Sequence, residues 1–146
     1  MSEVRAPASG AEWAAYYALR WRVLRAPWNQ PRGSEKDDLE GDAVHLMIGD
    51  ADGRVLAVGR LHRLDDDSGQ IRYMAVEPDC RGQGLGTRLL RELERAAADS
   101  GMLRTELHAR EGCVPFYEKA GYRVIESSHL LFGKIQHFRM EKVLGG

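Results

Sequence analysis

The segment Cys80-Arg81-Gly82-Gln83-Gly84-Leu85-Gly86-Thr87 sets three glycines at alternate positions just ahead of a run spaced like a helix. Glycine lets the backbone approach a ligand closely and turn its N–H groups toward it. The first turn of a following helix adds unpaired N–H groups and the positive end of its dipole. The chemistry that suits such a turn is holding a pyrophosphate. A Walker-type loop, GxxxxGK[ST], is excluded because Arg88 follows Thr87 and the segment has no Gly-Lys pair. A dinucleotide fingerprint needs GxGxxG and an acidic residue about 20 residues on. Here the spacing is GxGxG, and the later Glu106 falls inside a candidate strand. Without a ligand, the segment is a glycine-rich turn from strand to helix.

A second segment, Val114-Pro115-Phe116-Tyr117-Glu118-Lys119-Ala120-Gly121-Tyr122, follows at a fixed distance downstream. Together the two resemble the paired motifs of the GNAT superfamily of acyl-CoA N-acyltransferases. Arg81-Gly82-Gln83-Gly84-Leu85-Gly86 is similar to its R/Q-x-x-G-x-G/A signature, and Phe116-Tyr117-Glu118-Lys119 to its later FYEK-type motif. The recognisable core runs from Val44 to Tyr122, with an extension toward Val143. The closing Ile135-Gln136-His137-Phe138-Arg139-Met140-Glu141-Lys142 resembles the last strand of small bacterial ElaA-like members.

The resemblance implies an N-acetyltransferase that moves an acetyl group from acetyl-CoA, as cosubstrate, to a primary amine by direct attack. It implies that the pantetheine arm pairs with the edge of a strand through Met74, Ala75 and Val76, whose backbone N–H groups also face the oxyanion. The pyrophosphate would meet Arg81, Gly82, Gln83, Gly84, Leu85, Gly86 and Thr87. Arg81, then Arg88 and Lys119, are candidates for the CoA phosphates, each also readable as a solvated charge. Tyr117 stands at the position of the family's general acid, and a phenol with a reference pKa of about 10 can donate near neutral pH. In Arg104-Thr105-Glu106-Leu107-His108-Ala109, strand alternation puts Glu106 and His108 on one face. His108 titrates near neutrality and is the first candidate base; Glu106 is the second, and a water between them and the amine is an alternative. His137 could also face the cleft. No His, Cys and carboxylate cluster has metal-ligand spacing, so no metal is expected. The competing readings are a non-catalytic CoA-binding sensor or interaction module and a regulator that binds ATP through the glycine turn.

The elements that must position these residues follow from local pattern. Ser9 with Glu12 reads as a capping box. In the helix it opens, Trp13, Tyr17, Trp21, Leu24 and Trp28 form one stripe, with Tyr16, Leu19 and Val23 beside it. Pro27 and Pro31 end it. Residues 29–42 are polar and loop-like, with Glu35, Asp37, Asp38, Glu40 and Asp42 either solvated or forming an acidic rim for a cationic amine. Strands are expected over Ala43–Ile48, Val55–Leu64, Gln70–Val76, Leu103–Ala109, Arg123–Leu131 and Ile135–Val143, with Asp52-Gly53 as a hairpin turn. Leu85, Leu89, Leu90, Leu93 and Ala97 mark a second helix and Val114–Lys119 a third. The fold class is α/β: a GNAT-like acyl-CoA N-acyltransferase fold, a mixed twisted sheet with helices on both faces and one parallel β-α-β step.

Bulk properties bound the rest. A chain of 146 residues is expected to form one domain over 1–146. A net charge of −1 gives no electrostatic case for nucleic acid or an anionic membrane. No apolar run approaches the ~20 residues of a membrane span, and Met1 to Gly10 lacks the apolar stretch of a signal peptide, so a cytoplasmic location is expected. Cys80 and Cys113 are read as free thiols filling tight turns. Exposed last strands would allow a homodimer.

Overall fold

In the computed structural model, which describes residues 3–145, seven strands form one sheet in the order β1-β2-β3-β4-β5-β7-β6. They are β1 (Glu3–Arg5), β2 (Val44–Gly49), β3 (Val55–Arg63), β4 (Ser68–Val76), β5 (Arg104–Arg110), β6 (Arg123–Leu131) and β7 (Ile135–Val143). Three helices accompany them: α1 (Gly10–Leu24), α2 (Leu85–Asp99) and α3 (Val114–Lys119). All neighbours pair antiparallel except β4 with β5, the two strands joined through α2. This mixed sheet agrees with the expected fold class. β1 was not anticipated: three residues carry no readable alternation, and only pairing with Met47 to Gly49 makes them a strand.

Alternation along the strands sorts the side chains into two cores. Ile48, Ala57, Leu61, Ile71, Leu107 and Met140 meet Leu85, Leu89, Leu90, Leu93 and Ala97 of α2 on one face. Met47, Val58 and Ala75 meet Tyr16 and Leu19 of α1 on the other. On β3, Gly59 is dictated by this packing. A Cβ there would sit 2.8 Å from Met74 Sδ and 2.9 Å from Leu93 Cδ1.

α1 begins as its sequence predicts, with Ser9 Oγ accepting from Glu12 N at 3.1 Å. Its deeply buried face differs from the tryptophan stripe: Tyr16, Leu19 and Arg20 are fully buried, while Trp13, Tyr17 and Trp21 flank them half-buried. Two fully buried guanidiniums, Arg20 and Arg60, therefore need counter-charges. The loop after α1 supplies them. Glu40 accepts from Arg20 at 3.0 Å and from Arg60 at 2.7 Å, and Asp37 receives Arg60 and, at 2.9 Å, Arg72. Glu35 is buried, and its carbonyl accepts from Arg20 at 2.9 Å. Burial alone would raise the Asp37 carboxyl, but hydrogen bonds from Arg60 and the Leu39 N–H, with the charges of Arg60 and Arg72, hold it well below the usual range. Asp38 and Asp42 are exposed, as a solvated loop predicts, but Asp37 and Glu40 are spent on arginines and form no rim for a cationic amine. Asp37 and Glu40 turn inward because α1 and β3 bury arginines beneath them, while the Glu35 carboxylate accepts from the Gly33 N–H at 2.7 Å.

Candidate active site

β4 and β5 pair over three residues only: Ser68 with Arg104, Gly69 with Thr105 and Gln70 with Glu106. Beyond Gln70, β4 bulges against β3. The register slips between the Arg60–Arg72 and Val58–Ala75 pairs, and Tyr73 takes φ +58°. A bulge bends its strand and sharpens the twist, and here β4 leaves β5 at this point. A cavity of about 340 Å³ opens between the two strands.

Because adjacent residues of both strands line it, the cavity passes through the sheet. Ile71, Met74, Leu107 and Ala109 line the side that packs on α2, together with Tyr117 and Cys113. Arg72, Tyr73, His108, Arg110, His129 and His137 line the side of α1, with Arg25 from the end of that helix. Tyr117 and His108, expected as acid and base, are both in this wall.

Tyr117 is 9 % exposed and meets Phe116 and Tyr122 edge-on, with ring centroids at 5.0 and 5.9 Å. Burial pushes its phenol above the ordinary value of 10, so the hydroxyl keeps its proton at neutral pH. His108 behaves oppositely. Burial first, then the neighbouring His129 and Arg139, push its imidazole below the ordinary 6.5. Its Nδ1 is buried with no hydrogen-bond partner. A neutral imidazole with an unengaged nitrogen can accept a proton. The His129 ring lies 5.4 Å from that of His108 and stacks on His137 at 4.3 Å. His137, also lowered by burial, donates from Nδ1 to the Ile135 carbonyl at 2.9 Å.

Glu106, the second candidate base, is not in the cavity wall. It lies 3.8 Å from His108 Nε2 and 4.0 Å from Arg139 Nη1, and Arg139 also approaches Glu126 and Glu141. Of the expected backbone positions, Met74 lines the cavity. Ala75 sits in the α1 core, and Val76 continues toward the glycine turn, its Cγ2 near Gly86.

The turn itself has the geometry that its glycines allow. Gly82 and Gly84 take φ of +83° and +80°, and Gly84 caps α2 without any side-chain hydrogen bond to the first turn. Arg81, Gly82, Gln83 and Gly84 are exposed, Leu85 is buried in the α2 core, and Gly86 and Thr87 are half-buried. At Gly86 a Cβ would stand 3.3 Å from the Phe116 ring, so this glycine lets α2 approach α3. Cys80 is buried, with Sγ 3.3 Å from Asp79 Oδ1. Among the described residues, no group of three or more His, Cys, Asp and Glu could hold a metal ion.

The model of the acetyltransferase (GNAT) family matches residues 13–122, which span both motifs, the divergent strands and the cavity wall except His129, Leu131 and His137. The chain belongs to the GNAT family. It is therefore an acyltransferase. The Bacillus subtilis (strain 168) protein YjcF, an uncharacterized N-acetyltransferase, is 34 % identical over 128 residues, 88 % of this chain and 89 % of that one. The crystal structure of Escherichia coli ElaA shares the fold with a TM-score of 0.78 at 21 % identity, covering 97 % of this chain and 99 % of its own. An aminoglycoside 6'-N-acetyltransferase complexed with coenzyme A does so with a TM-score of 0.83 at 15 % identity, covering 100 % and 98 %. Among the described residues, no helix of this GNAT protein is long and apolar enough to cross a membrane.

Sequence reasoning did not single out Arg25, Arg72, Tyr73 or His129 for the site, since they enter from three separate parts of the chain. Arg110 had a signal: it continues the period-two face of Glu106 and His108.

Proposed function

We propose that this GNAT protein transfers an acyl group, acetyl first among them, from acyl-CoA to a primary amine by direct attack. The observation that carries this reading is the cavity through the sheet where β4 leaves β5, with Tyr117 on one side and His108 on the other. The CoA-bound relative of the same fold supports acetyl-CoA as the cosubstrate. In this reading the pantetheine lies in the gap along Met74, Ala75 and Val76. The pyrophosphate rests on the N–H groups of the turn from Arg81 to Thr87.

The amine enters from the α1 side and loses its proton to His108, directly or through a water. Glu106 stands behind the imidazole as a positioning group. As the amine attacks the thioester carbonyl, the tetrahedral oxyanion is met by backbone N–H groups of the Met74–Val76 stretch. Collapse breaks the C–S bond, and Tyr117 delivers its proton to the departing thiolate. No covalent enzyme intermediate is needed.

Isothermal titration with acetyl-CoA, with CoA and ATP as controls, tests the cosubstrate. Micromolar acetyl-CoA binding with weak ATP binding is expected. Absence of binding by either CoA species overturns the reading, and tighter binding of ATP favours a nucleotide-binding regulator.

A further inference from the structure

The acceptor side of the cavity is basic throughout. Among the described residues, no aspartate or glutamate lines the cavity, while Arg25, Arg72 and Arg110 all do. Their charges are unequally spent. Arg72 shares Asp37 with the buried Arg60. Arg25 donates to the carbonyls of Ser34 and Leu24, reaches the Tyr73 hydroxyl and lies over the Tyr73 and Phe132 rings, with no carboxylate partner among the described residues. Arg110 has no side-chain hydrogen bond or ion pair among the described residues. Glu106 and Glu126, on the same face, are engaged by Arg139. The acids that could have faced a cationic acceptor, Asp37 and Glu40, are turned onto buried arginines instead.

Two guanidiniums without counter-ions around a confined cavity attract an oxyanion and repel an ammonium, and arginine's planar donors match carboxylate and phosphate oxygens. From this we infer that the acceptor is an amine that carries an anionic group, a carboxylate or a phosphate, on the same molecule: Arg110 and Arg25 hold the anion while the amine faces His108. The inference rests on the acyltransfer reading above. It disfavours a purely cationic acceptor, which an acidic rim over residues 35–42 would have suited. The basic wall also helps the chemistry, because nearby positive charge disfavours the ammonium form and so raises the share of amine able to attack. The cosubstrate's own phosphates do not account for it. The turn from Arg81 to Thr87 leads into α2 and serves the opposite face of the sheet, whereas Arg25, Arg72 and Arg110 share the α1 face.

The test is a turnover assay at fixed acetyl-CoA that follows thiol release with matched acceptors: glycine against glycinamide, O-phosphoethanolamine against ethanolamine, and spermidine. At least one anionic member is expected to exceed its neutral partner about tenfold in kcat/KM, equivalent to about 1.4 kcal/mol. Arg110→Gln is expected to bring that ratio toward one, and the favoured pair tells carboxylate from phosphate. Equal or better use of glycinamide, ethanolamine or spermidine overturns the inference and leaves acyl transfer standing. An equal loss of acetyl-CoA affinity in Arg110→Gln also overturns it, since the charge would then serve the cosubstrate.

If none of these amines is turned over, the Cys113 thiol in the cavity wall decides. Its rates with a sulfonate-bearing and a quaternary-ammonium-bearing methanethiosulfonate are read by peptide mass and normalised to a small free thiol. A severalfold preference for the sulfonate that falls in Arg110→Gln upholds the inference, and a preference for the ammonium reagent sinks it. Failure of acetyl-CoA to bind at all removes the acyltransfer reading and this one with it.

Discussion

Glu40→Gln removes the carboxylate on which α1, β3 and the loop between α1 and β2 converge. Glu40 accepts from Arg20 Nη1 at 3.0 Å, Arg60 Nη1 at 2.7 Å, Tyr17 Oη at 3.1 Å and the Asp37 N–H at 3.0 Å. Both arginine side chains are 0 % exposed, and Glu40 is 15 % exposed. Stranding a buried charge by removing its partner costs about 3–5 kcal/mol. Arg60 keeps Asp37, and Arg20 keeps the Tyr16 hydroxyl and the Glu35 carbonyl, so the lower end, about 3 kcal/mol, applies. For a chain of this size that lowers Tm by roughly 10 °C.

The assay is urea and thermal unfolding at pH 7, with Asp42→Asn as a control. Asp42 is exposed on the same loop, and its substitution is expected to cost less than about 0.5 kcal/mol. The pH dependence adds a second reading. Burial raises the Glu40 carboxyl, but the Arg20 charge, the Asp37 N–H and Arg60 outweigh it and hold Glu40 below the ordinary 4.5. The unfolded chain therefore takes up this proton at a higher pH than the folded one. The stabilisation is complete above pH 4.5 and fades as pH falls below it, so the gap between wild type and variant is expected to narrow there. A loss under about 1 kcal/mol at pH 7, typical of an exposed pair, would refute the internal counter-ion account.

Tyr117→Phe is expected to lower kcat about 100-fold or more while acetyl-CoA affinity by titration stays within twofold; unchanged turnover would remove Tyr117 as the acid, and a protein without turnover in wild type would be the CoA-binding module instead. The acid limb of the kcat/KM profile is expected below pH 6.5, because burial depresses the His108 imidazole, and His108→Gln is expected to abolish that limb with a rate loss of about 100-fold. A limb that persists in the variant would assign it to another group. Gly59→Ala forces a methyl against Met74 Sδ and Leu93 Cδ1, and is expected to cost about 1–3 kcal/mol in urea unfolding; a neutral outcome would mean that β4 and α2 yield there.

Local pattern was enough for most elements. β6 and β7 and α3 begin and end at the residues their periodicity indicates, and the other expected strands shift by one or two. The turn between β4 and α2 was legible for the same reason: a left-handed φ at Gly82 and Gly84 is a local property, and glycine advertises it. Tyr117 and His108 were legible because the motif and the two-residue period each assign a side chain to a face. Spacing on α1 gives a stripe from Trp13 to Trp28 with Tyr16 and Leu19 beside it, yet Tyr16, Leu19 and Arg20 are what the sheet covers.

Three features arose only in three dimensions. The gap between β4 and β5 depends on pairing that stops after Gln70 and on a bulge at Tyr73 against β3, and register is set by partners far away in sequence. The inward turn of Asp37 and Glu40 depends on Arg20 and Arg60 being buried beneath that loop, which composition cannot reveal. The basic wall gathers Arg25, Arg72, Arg110 and His129 from the residue after α1 and from β4, β5 and β6. A chain's local pattern specifies which face a residue takes within its own element. The charge of a cavity is a sum over elements, and only their packing brings those charges together while pairing others away.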